Sequence, residues 1–156
     1  MRSNYDILFD LMTQYNSYIG EQTIGVDNYA AFKRPHILKR INKEIYMSPI
    51  CNVSTLILLH KHCSFALVEV FLENALLTGE LHPYDYAYIY EFSVWQVMLN
   101  NCKGDFKKRF NVWTKERKNV EYINNCRKEI FLPSLSHRDS IDKFCKLYKV
   151  NYNACK

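Results

Sequence analysis

The stretch that most constrains the fold runs from Leu56 to Gly79, LILLHKHCSFALVEVFLENALLTG, where apolar residues dominate over 24 positions. About 20 apolar residues are enough for a helix to cross a bilayer. This stretch, however, also contains Lys61, Glu69 and Glu73, and a charge at the centre of a membrane helix costs roughly 2.5–3.5 kcal/mol. We therefore expect no transmembrane span. The pattern predicts instead a central apolar helix over roughly 54–78, with a narrow polar stripe.

The composition favours an all-α fold. The chain has 156 residues, of which 48% are hydrophobic, and this is enough for one domain to bury a core without disulfides or metals. Glycine and proline number only 4 each, so turns are few and long helices are favoured. We predict a single α-helical domain over residues 1–156, a compact bundle of about seven helices around the central one. Helical periodicity and cap residues place these helices at 5–19, 27–32, 36–47, 54–78, 84–101, 105–131 and 136–148.

The positive charge of the chain is unevenly distributed. Residues 51–100 hold one basic and five acidic side chains, whereas residues 101–156 hold 14 basic and six acidic ones. The helical pattern predicts two basic helical faces, at 33–43 and 103–118, which could bind a partner or the phosphates of a nucleic acid. The basic residues predicted to contact a partner are Lys33, Arg34, Lys39, Arg40, Lys43, Lys107, Lys108, Lys115 and Lys118.

The aromatic content indicates contacts with other proteins. The chain has 12 tyrosines, nine phenylalanines and two tryptophans, and tyrosine and tryptophan are enriched at protein interfaces. Filling of the core is the alternative explanation for these rings. We predict Trp95 and Trp113 as aromatic contacts with a partner protein or with a second copy of the chain.

No pattern in the sequence predicts catalysis, a cofactor or a metal. The four glycines are dispersed and form no phosphate-binding loop, and no G-x-S-x-G elbow is present. His60 and Cys63 would share a helical face, but a structural zinc site needs four ligands and the chain has no C-x-x-C pair. We therefore expect a protein that is not an enzyme, with no catalytic, cofactor-binding or metal-binding residues and no small-molecule substrate.

The N-terminal sequence lacks the pattern of a secretory signal peptide. This predicts an intracellular protein, cytoplasmic or nuclear, whose six cysteines are mostly buried free thiols. The abundance of Asn, Lys, Ile and Tyr is typical of AT-rich genomes, including those of viruses. The function predicted from the sequence is that of a non-catalytic interaction or structural protein acting through protein–protein contacts. The alternative is a nucleic-acid-binding protein that uses the two basic helical faces.

Overall fold

A computed structural model of the chain describes residues 3–20, 23, 53–59, 65–100, 106–112 and 118–147. These ranges contain no β-strand, so the all-α prediction is confirmed for them. The predicted helices at 27–32 and 36–47 lie outside the described residues, and the count of about seven helices in one domain stays a prediction. Six helices are described, namely α1 (Asn4–Tyr15), α2 (Val53–Leu59), α3 (Phe65–Leu77), α4 (Pro83–Asn100), α5 (Val120–Glu129) and α6 (Leu135–Leu147).

Helix α1 begins with a capping box and ends earlier than predicted. The Ser3 hydroxyl accepts a hydrogen bond from the Asp6 amide at 3.2 Å, and the Asp6 carboxylate accepts one from the Ser3 amide at 3.0 Å. These bonds satisfy amides that the first helical turn leaves without partners. The prediction of a helix to residue 19 is wrong. Asn16 adopts left-handed backbone with φ 50° and ends the helix, as asparagine readily does at this position.

Because α1 ends early, the residues that follow it enter the core. Tyr18 and Ile19 are buried, and the Tyr18 hydroxyl lies 3.1 Å from the Thr55 hydroxyl of α2. The Ser54 hydroxyl donates to the Ile19 carbonyl at 3.0 Å. These bonds satisfy polar groups that burial would otherwise leave at a cost. They also fix α1 against α2.

The range predicted as one central helix contains α2 and α3, and residues 60–64 between them are not described. Helix α4 packs against both, and α1 packs against α2. The two ends of the α3–α4 connection agree to within one residue with the predicted helix limits at 78 and 84. Gly79 adopts φ +77° after α3, and α4 begins at Pro83, where the fixed φ of proline suits the first helical position.

The predicted helix over 105–131 is wrong at 106–112, where the backbone is not helical. The reason is the Glu91 carboxylate of α4. Its Oε1 accepts from the amides of Phe110 at 2.7 Å and Asn111 at 2.6 Å, and its Oε2 accepts from Val112 at 3.0 Å. These three amides therefore bond to a side chain of another segment rather than to carbonyls four residues back, as a helix would require. A charged acceptor makes such bonds stronger than neutral ones.

The carbonyls of the same segment are held by two arginines. Arg127 of α5 is fully buried, and it donates from Nη1 to the Phe110 carbonyl and from Nε to the Pro133 carbonyl. Arg138 of α6 donates to the Asn111 carbonyl at 2.7 Å. The segment 106–112 is thus tied through Glu91 to α4 and through the two arginines to α5 and α6. We call these bonds the Glu91 network.

Helix α6 begins close to the predicted position but with a different cap. The spacing Ser136-x-x-Asp139 predicts Ser136 as the cap, with Asp139 completing a capping box. The Ser134 hydroxyl instead accepts from the His137 amide at 3.3 Å, so the cap lies two residues earlier. The Leu135 amide donates to the Asn124 side chain of α5 at 2.9 Å, which satisfies another amide of the first turn. This side-chain bond across the α5–α6 corner was not visible in the local sequence pattern.

The core joins residues from α1 to α5 and from the 106–112 segment. Phe65 of α3 contacts Tyr86 and Tyr90 of α4 edge to face, with ring centroids 5.5 and 4.9 Å apart. Phe110 is fully buried and lies edge to face against Tyr90 at 5.2 Å. Such pairs contribute about 0.5–1.5 kcal/mol beyond the area that they bury. Aromatic packing therefore fixes α3, α4 and the 106–112 segment together. Cys126, a free thiol, is also buried.

The Glu91 network predicts a large loss of stability in Glu91→Gln. The amide keeps one carbonyl oxygen, but its NH₂ group faces a backbone N–H, and the charge that strengthens the bonds is lost. We expect the free energy of unfolding to fall by about 2–4 kcal/mol, measured by urea denaturation with far-UV circular dichroism. Glu121→Gln, at an exposed position in the first turn of α5, is the matched control and should change it by about 0.5 kcal/mol or less. Equal effects of the two changes would contradict this role of Glu91.

Candidate protein-interaction site

Helix α3 exposes large apolar side chains along one face. Leu67, Val70 and Leu77 are 59%, 67% and 72% exposed, and their spacings of three and seven residues place them on the same side of the helix. The opposite side is buried and consists of Phe65, Val68, Leu72, Ala75 and Leu76. We call Leu67, Val70 and Leu77 the α3 face. Exposed apolar groups that line up on one element commonly mark an interaction site.

The exposure of this face contradicts the prediction that the central helix is surrounded by the rest of the protein. The sequence is apolar on nearly all sides of α3, and we interpreted this as burial on nearly all sides. In the described residues α3 packs mainly against α4, which covers only one side. The prediction of a helix with only a narrow polar stripe is therefore wrong for α3. An apolar helix surface can equally serve a partner outside the chain.

One edge of the α3 face is acidic. Glu69 and Glu73 are exposed, lie four residues apart, and make no hydrogen bond or ion pair with the described residues. The range 65–100 contains five acidic side chains and no lysine or arginine. The α3–α4 pair thus carries the negative charge of a chain whose net charge is +5.

An aromatic pocket adjoins this acidic edge. Its volume is about 250 Å³, and it lies where α3, α4 and the 106–112 segment meet. The Phe106 ring contacts those of Phe65 at 6.0 Å and Tyr90 at 5.3 Å. The Tyr90 hydroxyl accepts from the Lys108 amide at 2.9 Å, which fixes the wall that the 106–112 segment supplies. The lining residues are Phe65, Ala66, Glu69, Tyr86, Tyr90, Phe106, Lys107 and Lys108.

Tyr86 brings a hydroxyl group to this pocket. Its side chain is 2% exposed, and the hydroxyl makes no hydrogen bond with the described residues. Burial raises the pKa of Tyr86 far above its ordinary value, and the negative charges of Glu73 and Glu69 raise this pKa further. The hydroxyl therefore stays protonated, and it lies in a negative potential. Because Tyr86 lines the pocket, this hydroxyl is available to a bound group.

A second cavity, lined mainly by residues with polar side chains, adjoins the other edge of the α3 face. It has a volume of about 400 Å³ and is lined by Tyr15, Ser17, Thr23, Asn74, Ala75, Thr78 and Glu80. The Thr23 hydroxyl donates to the Tyr18 carbonyl at 2.6 Å, which ties the chain beyond α1 to this region. Asn74 and Thr78 form this edge of the α3 face, so the face lies between two concave surfaces.

The predicted basic contacts are only partly described. Six of them lie outside the described residues, namely Lys33, Arg34, Lys39, Arg40, Lys43 and Lys115. Lys107 and Lys108 lie on the non-helical 106–112 segment, so the predicted basic helical face over 103–118 is wrong there. The Lys108 ammonium is 2.9 Å from the Glu129 carboxylate. Lys118 is exposed before α5.

The two predicted aromatic contacts differ in what the structure describes. Trp95 of α4 is 53% exposed, and its ring lies 5.6 Å from that of Phe92. Trp113 lies outside the described residues. Sequence reasoning did not identify the aromatic pocket, because its walls come from three separate segments. The signal in the sequence is the aromatic density of 84–101, which by itself favours a helix with two buried sides.

The described part of the chain contains no group of three His, Cys, Asp or Glu side chains that could hold a metal ion. His60 and Cys63 lie outside it. Within the same ranges, no helix combines the length and the apolar composition that crossing a membrane requires.

The partly buried carboxyl of Asp85 gives a prediction for the pH dependence of stability. Burial raises the pKa of Asp85, in the first turn of α4, from 3.8 to about 6. Between these values the folded state binds more protons than the unfolded state, so this carboxyl lowers stability as the pH rises. Over this pH range the ionisation of Asp85 lowers the free energy of unfolding by on the order of 2–3 kcal/mol. Asp85→Asn should therefore become more stable relative to the parent by roughly 2 kcal/mol between about pH 4 and pH 7. Urea denaturation of both proteins across this range measures the difference, and a constant difference would contradict the prediction.

The comparisons with known proteins leave the function to be argued from these surfaces. No protein-family model, no curated protein and no solved structure matches the chain.

Proposed function

We propose that this protein is a non-catalytic interaction protein whose α3 face binds an α-helix of a partner protein. The observation that carries the proposal is the exposure of Leu67, Val70 and Leu77 along one side of a helix whose other side is in the core. An amphipathic helix binds such a surface by placing apolar residues at intervals of three or four positions against it. The concave surfaces at both edges favour a rod-shaped partner over a flat one.

The free energy available from the α3 face can be compared with the free-energy cost of association. Burying a whole aliphatic side chain contributes about 1.5–3 kcal/mol, so the exposed parts of these three contribute roughly 3–6 kcal/mol together. Association itself costs an estimated 4–15 kcal/mol in lost freedom of the two molecules. The α3 face alone is therefore too small to hold a partner, and contacts in the adjoining cavities must supply the remainder.

The first test is a selection of peptides that does not require the natural partner. A displayed library of helix-forming peptides of about 18 residues covers the ~20 Å length of α3. In this library, leucines are fixed at helical spacing so that each peptide can present an apolar stripe, and all other positions are randomised. We expect enriched peptides to bind the protein with micromolar affinity and to bind a triple variant, Leu67→Gln, Val70→Thr and Leu77→Gln, at least about tenfold more weakly.

The control for this selection is Leu147→Gln. Leu147 of α6 is 74% exposed and lies outside the α3 face, so its replacement should leave peptide binding unchanged. All three substitutions on α3 are at exposed positions, and circular dichroism should show an unchanged fold. Failure to enrich any peptide, or equal losses in the triple variant and in Leu147→Gln, would contradict the proposal. Sedimentation of the parent and the triple variant tests whether a second copy of the chain is the partner.

Nucleic-acid binding is the second proposal, supported by the excess of basic side chains in residues 101–156. The exposed Lys107 and Lys118 are the described residues on which it rests. Each phosphate contact adds about −0.9 to the slope of log affinity against log salt on duplex DNA. Reversing both lysines to Glu should then weaken binding to a DNA duplex several-fold and flatten this slope. A complex that is tight, salt-dependent and lost on this reversal would favour nucleic-acid binding over the α3 proposal.

A further inference from the structure

The aromatic pocket has the size of an anchor site for one side chain. Its volume of about 250 Å³ lies below the roughly 300–1,000 Å³ of typical small-molecule sites. Protein interfaces, in contrast, often depend on one large side chain that fills a pocket, and tryptophan, tyrosine and arginine are the common anchors. The pocket adjoins the α3 face through Ala66 and Glu69, so a helix bound to that face passes its mouth.

The chemistry of the walls selects among these anchors. Aromatic rings attract a cation over their faces, and Phe65, Tyr86, Tyr90 and Phe106 all line the pocket. Glu69 lines it as well, and it makes no ion pair with the described residues. The Tyr86 hydroxyl makes no hydrogen bond within these ranges, and it can accept one from a cationic group in the pocket.

The two lysines of the lining do not reverse this preference. The Lys108 ammonium is 2.9 Å from the Glu129 carboxylate, and this pairing raises the pKa of Lys108. The Lys107 and Glu69 side chains are both exposed to solvent, which screens both charges. The four rings therefore carry the preference for a cation, and Glu69 adds to it by direct contact. The Glu69 carboxylate lines the pocket at the edge that adjoins the α3 face.

We infer that the aromatic pocket receives an arginine side chain of the partner helix, which stacks on the rings, pairs with Glu69 and donates to the Tyr86 hydroxyl. This inference rests on the proposed binding of a helix to the α3 face. Arginine fits better than lysine, because a planar guanidinium can stack on a ring and bond to a carboxylate through two N–H groups at once. The partner is therefore a basic amphipathic helix with an arginine beside its apolar stripe.

The test uses peptides enriched in the library selection described above. We expect them to share an arginine at a fixed distance from the fixed leucines. Replacing that arginine by citrulline keeps its shape but removes its charge, and should weaken binding by about tenfold. Glu69→Gln should weaken the arginine peptide by a similar factor and remove most of the difference between the two peptides, because the pair acts as a unit. Tyr86→Phe should cost a further factor of about three to five.

Two controls separate this pocket from general electrostatics. Glu73→Gln removes the same charge from the same edge but not from the pocket lining, so the preference for arginine over citrulline should persist. Tyr86→Phe removes a hydroxyl that has no partner in the described residues, so the thermal midpoint of unfolding should not fall. Both variants must give the parent circular dichroism spectrum before binding is compared.

The outcomes distinguish the inference from the proposal on which it rests. Peptides that depend on the α3 face but carry no shared arginine, or carry a tryptophan or tyrosine anchor instead, would overturn the inference and leave the proposed function standing. The same conclusion follows if citrulline binds as well as arginine, or if Glu69→Gln leaves their difference unchanged. Absence of any peptide sensitive to the triple variant would overturn both.

Discussion

The Glu91 carboxylate is the contact on which the arrangement of the described segments depends. It accepts hydrogen bonds from three successive backbone amides, those of Phe110, Asn111 and Val112. A buried backbone segment outside a helix or sheet must find partners for its polar groups elsewhere, or lose several kcal/mol. Glu91 supplies these partners from α4. Arg127 and Arg138 supply those of the carbonyls, so one segment joins three helices without regular secondary structure.

The same bonds shape the candidate site. Because Glu91 holds 110–112 against α4, the preceding residues pass over α3, where Phe106 and Lys108 become walls of the aromatic pocket. The bond from the Lys108 amide to the Tyr90 hydroxyl fixes that wall at 2.9 Å. Had this range been helical, its amides would have bonded within the helix and its aromatic rings would have followed a single seam. The pocket is therefore a consequence of a polar network in the core.

The α3 face and the pocket differ in what each can give to a partner. Burial of the three aliphatic side chains would provide a non-directional gain in binding free energy. This gain is comparable to the lower estimates of the free-energy cost of association. The pocket combines aromatic rings, the Glu69 carboxylate and the Tyr86 hydroxyl, and these groups are directional. Specificity in interfaces depends on such placed polar groups, since an incorrect partner leaves them unpaired. In the proposed complex the α3 face would therefore supply a non-specific part of the affinity, and the pocket would supply both the remaining affinity and the selectivity.

The sequence by itself determined the helical class, the positions of Gly79 and Pro83 between α3 and α4, and the concentration of acidic residues in 65–100. These features depend on the backbone preferences of individual residues and on the number of charged residues in a range, and both can be taken directly from the sequence. Only the tertiary structure decided that 106–112 leaves the helical pattern, because the competing partner Glu91 lies about 20 residues away. It also decided which side of α3 meets solvent. An apolar helix surface has the same sequence pattern whether the chain or a partner covers it, since burial depends on the neighbours that the fold provides.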